Sequence, residues 1–289
     1  MEAVCRGKQW DVLLACRDDG TVEGALPYLH GRRLGLGYVL QPELTQYSGP
    51  WYNHPEGLSA NARIDFENRV GSALAEQLDG LKISIFQQRF SPGITNWLPF
   101  HWKGYRQTTR YTYRFPSIAD PDALMQQASG ARRKNLSNLQ RECTVDSQMS
   151  PADFAQMHAD YWQRKGGGDV LRRDFIEHIC TTALHRGQGL LWALRDASGS
   201  AICAAFVAYD SRCAYALLSA VAEGAPANAQ TYLDWQMIRH LAALTEAFDF
   251  EGSMEQGGEY YYRSFGTEQT PYFEVTRCRP RCLHHLLIR

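Results

Sequence analysis

Two short runs rich in apolar residues, Trp10 to Cys16 and Val22 to Leu29, read as strands. The Asp18-Asp19-Gly20 turn between them predicts a β-hairpin. Gly31 to Pro55, rich in glycine, proline and aromatic residues, predicts loop. From Ile64 to Leu78 the apolar positions 64, 66, 70, 74 and 78 draw one face of a helix. Leu81–Phe86 and Tyr105–Phe115 alternate as strands. Asp120 and Pro121 then form an N-cap and first turn, and an Arg/Lys-rich helix follows Gly130. Ser150-Pro151 opens a helix to about Arg164, which Gly166 to Gly168 end, and Arg172 to His185 is another. Leu190–Leu194, the turn Asp196–Gly199 and Ala201–Tyr209 repeat the hairpin. The strand Ala214–Ala220, a helix from Thr231 to Ala247 and a strand over Phe248–Gly252 come next.

The two halves of this order match. Each has a hairpin with an aspartate-glycine turn, then a helix, then an alternating strand, and each closes on a Gly-x-x-Gln-Thr segment before its last strand. One such segment is Gly104 to Thr108 and the other Gly266 to Thr270. The pattern predicts an internal duplication of an α/β unit. The expected division is a first unit over residues 1–115, a helical connection over 116–142 and a second unit over 143–289.

Charge adds a local contrast. The 289 residues carry a net charge of −1, which gives no global attraction to nucleic acid or anionic membrane. From His101 to Glu142, however, eight Lys/Arg stand against three Asp/Glu, and from Leu244 to Val275 seven acids stand against one arginine. Either two solvated faces or a basic wall opposite an acidic one would produce this. Eight cysteines show no CxxC pair and no zinc spacing with histidine, and no apolar run reaches the length of a membrane span. A cytoplasmic protein is expected.

Three segments carry a resemblance. Ala131 to Glu142 ("ARRKNLSNLQRE"), Gln230 to Ser253 ("QTYLDWQMIRHLAALTEAFDFEGS") and Gly257 to Val275 ("GGEYYYRSFGTEQTPYFEV") are similar to the corresponding parts of N-acyltransferases of the GNAT fold. The branch they resemble most holds the Fem aminoacyltransferases and related acetyltransferase-like domains. The resemblance implies an α/β fold of two tandem GNAT-like units, each a mixed, mostly antiparallel sheet flanked by helices. It also implies transfer of an acyl or aminoacyl group from a small-molecule donor to an amine acceptor. The rival is a catalytically silent binding or scaffold protein that keeps the fold. The long helical arm of many Fem enzymes is missing, which disfavours tRNA. So are the helices that open the first copy in that branch, so either this copy is reduced or the true start lies upstream.

Candidate chemistry follows from the resemblance and the residue types together. Acetyl-CoA or another acyl-CoA would need a bare backbone turn at a helix start. Arg32-Arg-Leu-Gly35-Leu-Gly37 has that spelling, but Pro42 forbids the helix it needs. The duplicated order places the loop instead at residues 220–230, with Ala227, Asn228 and Ala229 at the helix start. Glu251 is the candidate base, and alternation puts it on one strand face with Asp249, a candidate ammonium holder or a structural group. Tyr260 and Tyr261 are candidate proton donors, or aromatic packing. Arg263 would bind an anionic substrate group or a surface acid. Arg132, Arg133, Lys134 and Asn135 form an anion site or a solvated face. Tyr161 and Arg164, with Lys165, would flank a loop that closes over substrate. His158 and His178 read as structural, and no metal site is expected.

Overall fold

A computed structural model describes residues 1–5, 7–130, 133, 139, 142–167, 171–252 and 254–280. The chain begins α1 (Glu2–Cys5), β1 (Gln9–Cys16), β2 (Val22–Arg33), β3 (Leu36–Leu40), β4 (Trp51–Tyr52), α2 (Ala60–Gly80), β5 (Ile85–Arg89), α3 (Leu98–Trp102) and β6 (Arg106–Phe115). It continues α4 (Pro121–Gln127), β7 (Thr144–Asp146), α5 (Pro151–Arg164), α6 (Arg173–His185), β8 (Gly189–Arg195), β9 (Ala201–Tyr209) and β10 (Cys213–Val221). It ends α7 (Ala229–Leu241), β11 (Ala247–Asp249), α8 (Gln256–Arg263) and β12 (Glu268–Cys278).

Two compact units result: Met1–Arg110 with Pro271–Arg289, and Tyr111–Thr270. The stretch 116–142 is not a bare connection, because Ile118, Ala128 and Leu139 are buried in the core of the second unit. The last residues return to the first unit, where Val275 joins the core.

In the first unit the strand order is β1-β2-β3-β5-β12, with β4 on β2. Among the strand pairs of the described residues, only β3 and β5 run parallel. Ser59 caps α2 by accepting from the Ala62 N–H at 3.3 Å, and Phe66, Val70, Leu74 and Leu78 recur at helical spacing on its buried face. The predicted loop over Gly31–Pro55 is partly strand: β3 and β4 lie within it. The Arg32–Gly37 stretch is the β2–β3 hairpin, with Leu34 and Gly35 at positive φ, so no phosphate loop stands there. The strand expected over Leu81–Phe86 starts at Ile85, since Lys82 turns through a φ of 53°.

In the second unit the order is β8-β9-β10-β11-β6, extended by β7 beside β8. Here, among the described residues, only β10 and β11 run parallel. Position for position this is the first unit's order. In both, the closing strand comes from the far end of the other half's sequence: the end of β12 completes the first sheet and the end of β6 the second. Asp120 and Ser150 cap α4 and α5 as their sequence predicts, at 3.0 and 3.1 Å. α7 ends at Leu241 rather than Ala247.

Candidate active site

The second unit opens where β10 leaves β11. The two strands pair only through Cys213–Tyr215 and Ala247–Asp249. Beyond Tyr215, β10 is paired on its β9 side alone among the described residues, with a bulge between Ala216 and Leu218. That one-sided edge leaves backbone hydrogen-bonding groups for a ligand. Beside it lies a cavity of about 580 Å³, walled by the second half of β10, one face of α5, the first turn of α7, Phe250 and α8.

A hydrogen-bonded trio stands in this wall. Asp234, buried on α7, accepts from Gln230 Nε2 at 2.8 Å and from the Tyr261 hydroxyl at 2.7 Å. The Gln230 amide oxygen is buried with no hydrogen-bond partner. Burial first, and then the nearby Asp234 charge, pushes the Tyr262 phenol up to about 12. Across the cavity the Trp162 indole N–H donates to His158 Nε2 at 3.0 Å. Because indole can only donate, that histidine nitrogen carries its lone pair here.

The strand-alternation argument for Asp249 and Glu251 does not hold. β11 stops at Asp249, whose Oδ1 accepts from the Glu251 N–H at 2.7 Å and turns the chain, with Glu251 at a φ of 56°. Asp249 is 0% exposed, accepts from the Thr112 hydroxyl at 2.5 Å and lies 3.2 Å from Arg114 Nε. It is a hub of the fold there. Gly252 follows because a Cβ would come 2.3 Å from Thr112 Cα. Phe250 and Glu255, on either side of Glu251, are the ones that line the cavity.

The remaining candidates separate. Tyr261 lines the cavity, whereas Tyr260 is 62% exposed with the Arg263 guanidinium 5.2 Å from its ring centre. Arg263 also pairs with Glu259 at 2.8 Å. Tyr161 is in the wall, with the Lys165 ammonium 5.7 Å from its ring, and Arg164 donates to the Val221 carbonyl at the end of β10. Arg133 donates to the Gln126 carbonyl; Arg132, Lys134 and Asn135 lie outside the described residues. Three cations of the basic stretch are paired inside a unit, Lys103 with Glu76 and Arg110 with Glu274 in the first, Arg114 with Asp249 in the second.

Ala227, Asn228 and Ala229 do stand at the start of α7, but Asn228 holds the N-cap position without a capping hydrogen bond from its side chain. The Ala225 and Ala229 N–H groups are engaged within the turn and Pro226 has none. Among the described residues no group of three or more His, Cys, Asp or Glu is placed to hold a metal ion.

Asp234, Gln230, Phe250 and Glu255 were not singled out by the sequence. Gln230 and Asp234 are four apart, which marks a shared helix face. The signal is hidden because α7 is buried nearly all round, so two polar residues in it look incidental.

In the first unit the matching place is closed. Tyr38 faces Ile85 and Val39 faces Phe86, as Cys213 faces Ala247 and Ala214 faces Phe248. Two residues on, Gln88 therefore stands where Phe250 does. Gln88 is 0% exposed and donates to the Pro27 carbonyl at 2.8 Å and the Ser48 hydroxyl at 3.3 Å. Ser48 bridges to Phe90, and its N–H donates to the Arg89 carbonyl at 2.7 Å.

Residues 122–264 match the family described as acetyltransferase (GNAT) domain. No curated protein sequence matches the chain. Among solved structures, FemX is similar with a TM-score of 0.72 at 12% identity, over 100% of this chain and 93% of that one. A tandem GNAT protein from the clavulanic acid biosynthesis pathway gives 0.54 at 11% identity, over 93% and 82%. L-PGS from Bacillus licheniformis gives 0.52 at 14% identity, over 96% and 90%. The matched segment spans all of the cavity-bearing strands and helices, and the fold likeness extends over the whole chain: residues 122–264 form an acetyltransferase (GNAT) domain, within a chain whose overall fold is that of FemX and of a tandem GNAT protein.

Proposed function

We propose that the second unit transfers an acyl group from an activated donor to an amine. The observation that carries this reading is the divergence of β10 from β11, which sets a one-sided strand edge against a cavity holding the Asp234–Tyr261 pair. Acyl transfer needs the two reactants held in register, a donor for the developing oxyanion and an acceptor for the amine's proton. Backbone N–H groups on the free edge of β10 suit the oxyanion. The Tyr261 hydroxyl, its own proton directed at Asp234, suits the amine N–H: as the N–C bond forms it takes the amine's proton and passes its own to Asp234, and as the donor's C–S or C–O bond breaks the pair returns a proton to the departing thiolate or alkoxide. Glu251 is the second candidate base, one residue beyond the wall. Acetyl-CoA, another acyl-CoA or an aminoacyl ester would each supply the carbonyl.

The shared strand order supports reading the two units as copies of one ancestor, with the first, its gap closed by Gln88 and Ser48, as a silent partner. The test is incubation of the protein with acetyl-CoA, longer acyl-CoAs and aminoacyl-tRNA against a panel of amines, with mass spectrometry of the products. Amide formed by the wild type and lost in Tyr261→Phe supports the reading. No amide from any donor removes it.

A further inference from the structure

The first unit has a cavity of its own, at the other end of β3 from the gap that Gln88 and Ser48 close. It measures about 480 Å³. Tyr28, His30 and Arg32 alternate along β2 and so share one face of the sheet. The register sets Gln9 of β1 opposite His30 and Gly37 of β3 opposite Arg32, and the apolar Leu81 and Ile83 complete the wall. Arg32 and Gly37 belong to the Arg-Arg-Leu-Gly-Leu-Gly spelling that makes no phosphate loop. The hairpin gives them this place instead.

This wall donates hydrogen bonds and carries positive charge. Tyr28 is only 4% exposed, yet its hydroxyl makes no hydrogen bond among the described residues. Burial first, and then the Asp11 charge, pushes its phenol up, so the proton stays on as a donor. Its ring packs on that of His30 with centres 5.3 Å apart. Arg32 is exposed and has no carboxylate partner among the described residues. The same holds for Lys8, Arg33 and Lys82, which flank the wall residues in sequence and draw anions toward them. No carboxylate lines the wall among those residues, and Asp11, opposite Tyr28, is the one acid of β1. A single guanidinium in the wall, with an acid beyond its inner end, suits a monoanion better than a dianion. A guanidinium fork takes a carboxylate through two parallel bonds, and rings with aliphatic neighbours take a flat body. Tyr28 and Arg32 stand about 13 Å apart along the strand. A benzene ring with a polar group at each end fills that span together with the Arg32 side chain.

We infer that this cavity binds an aromatic carboxylate, with the carboxylate on Arg32, the ring beside His30 and a polar group across the ring on the Tyr28 hydroxyl. The site is independent of the acyl-transfer reading and lies in the other unit.

Calorimetric titration of the full chain with para-hydroxybenzoate, its methyl ester, benzoate and phenyl phosphate tests it. The expected result is para-hydroxybenzoate about tenfold or more tighter than the ester and about threefold tighter than benzoate, with phenyl phosphate weaker than benzoate. Arg32→Ala should erase the preference for the acid over the ester, and Tyr28→Phe the preference for para-hydroxybenzoate over benzoate. A Cβ at Gly37 would already come 3.4 Å from the Lys82 carbonyl oxygen, so Gly37→Leu should crowd the floor and weaken every probe about tenfold or more. An ester as tight as the acid, an undiminished preference in Arg32→Ala, a tighter phenyl phosphate, or no binding of any probe overturns the inference. Should Tyr28→Phe or Gly37→Leu not fold, the comparison of acid with ester in the wild type and in Arg32→Ala decides alone, since that exposed side chain is not needed for folding.

Discussion

The first unit spends its central gap on packing, and the second leaves it empty. Both run the same five strands in the same order, with one parallel pair at the same place. In the first, Pro42 ends β3 two residues past its strand, the chain loops out, and Ser48 comes back beside Phe90 while Gln88 ties the loop to Pro27. In the second, β10 runs on to Val221 past a bulge, and the space beside it stays open to Asp234 and Tyr261. The fold alone therefore does not make a site. What makes one is how far the third strand continues after parallel pairing ends, and which side chain follows on the fourth.

The largest effect on that comparison should come from Asp249→Ala. It strips a fully buried carboxylate from Thr112, Arg114 and the Glu251 N–H, so unfolding in urea should cost about 3 kcal/mol less. A loss under about 1 kcal/mol would show that the open side does not depend on this hub. Next is Gln88→Leu in the closed unit, which takes a donor from the Pro27 carbonyl and the Ser48 hydroxyl. A loss of about 1–3 kcal/mol is expected in the same assay. An unchanged midpoint would mean that the seal is made by packing alone.

Smaller still is Glu251→Gly, which relieves a left-handed backbone at a non-glycine residue and should raise stability by up to about 1 kcal/mol. Its companion Glu251→Gln tests the base role separately: with a working amine and donor, a fall of about 10²–10⁴ in turnover places the carboxylate in the chemistry. Unchanged turnover leaves Asp234 and Tyr261 to carry it. The smallest effect is the acid response of the first unit. Hydrogen bonds from Arg69 and then Arg17 hold the Glu23 carboxyl down at about 2. Its folded value lies below the unfolded one, so its contribution is complete above the ordinary carboxylate range and fades as pH falls toward 2. Both arginines are more than a third exposed, so salt should weaken the effect. Melting curves between pH 5 and pH 2 with Glu23→Gln as reference check it, and identical pH slopes would rule it out.

Much of the fold was legible because caps and periods are local. Ser150-Pro151, Asp120-Pro121 and the alternating strands each announce themselves within a few residues, and the structure places them within a few positions of expectation. The two Gly-x-x-Gln-Thr segments also mark equivalent places ahead of β6 and β12, yet their glutamines act differently. Gln107 donates to Thr109 at 2.7 Å, and Gln269 to the Tyr113 hydroxyl at 2.7 Å. The site was less legible for a physical reason. Asp249 captures a backbone N–H and ends the alternation on which the paired-carboxylate argument rested, and Asp234 gains its meaning only from Tyr261, 27 positions away. Side chains brought together by a turn and by tertiary packing leave no period to read.

The borrowed closing strands set an order for folding. β5 gains its outer neighbour only from Glu274–Cys278, which a ribosome makes near the end of this sequence. Until those residues emerge, the first unit holds an unpaired strand edge in its sheet, the kind of surface on which nascent chains associate. Its pairing spans nearly two hundred residues, so closure is a late and slow step. The second unit, whose closing strand β6 precedes everything else in it, can complete its sheet as soon as β11 is made. The cavity-bearing unit is thus able to finish first, although the chain starts with the other.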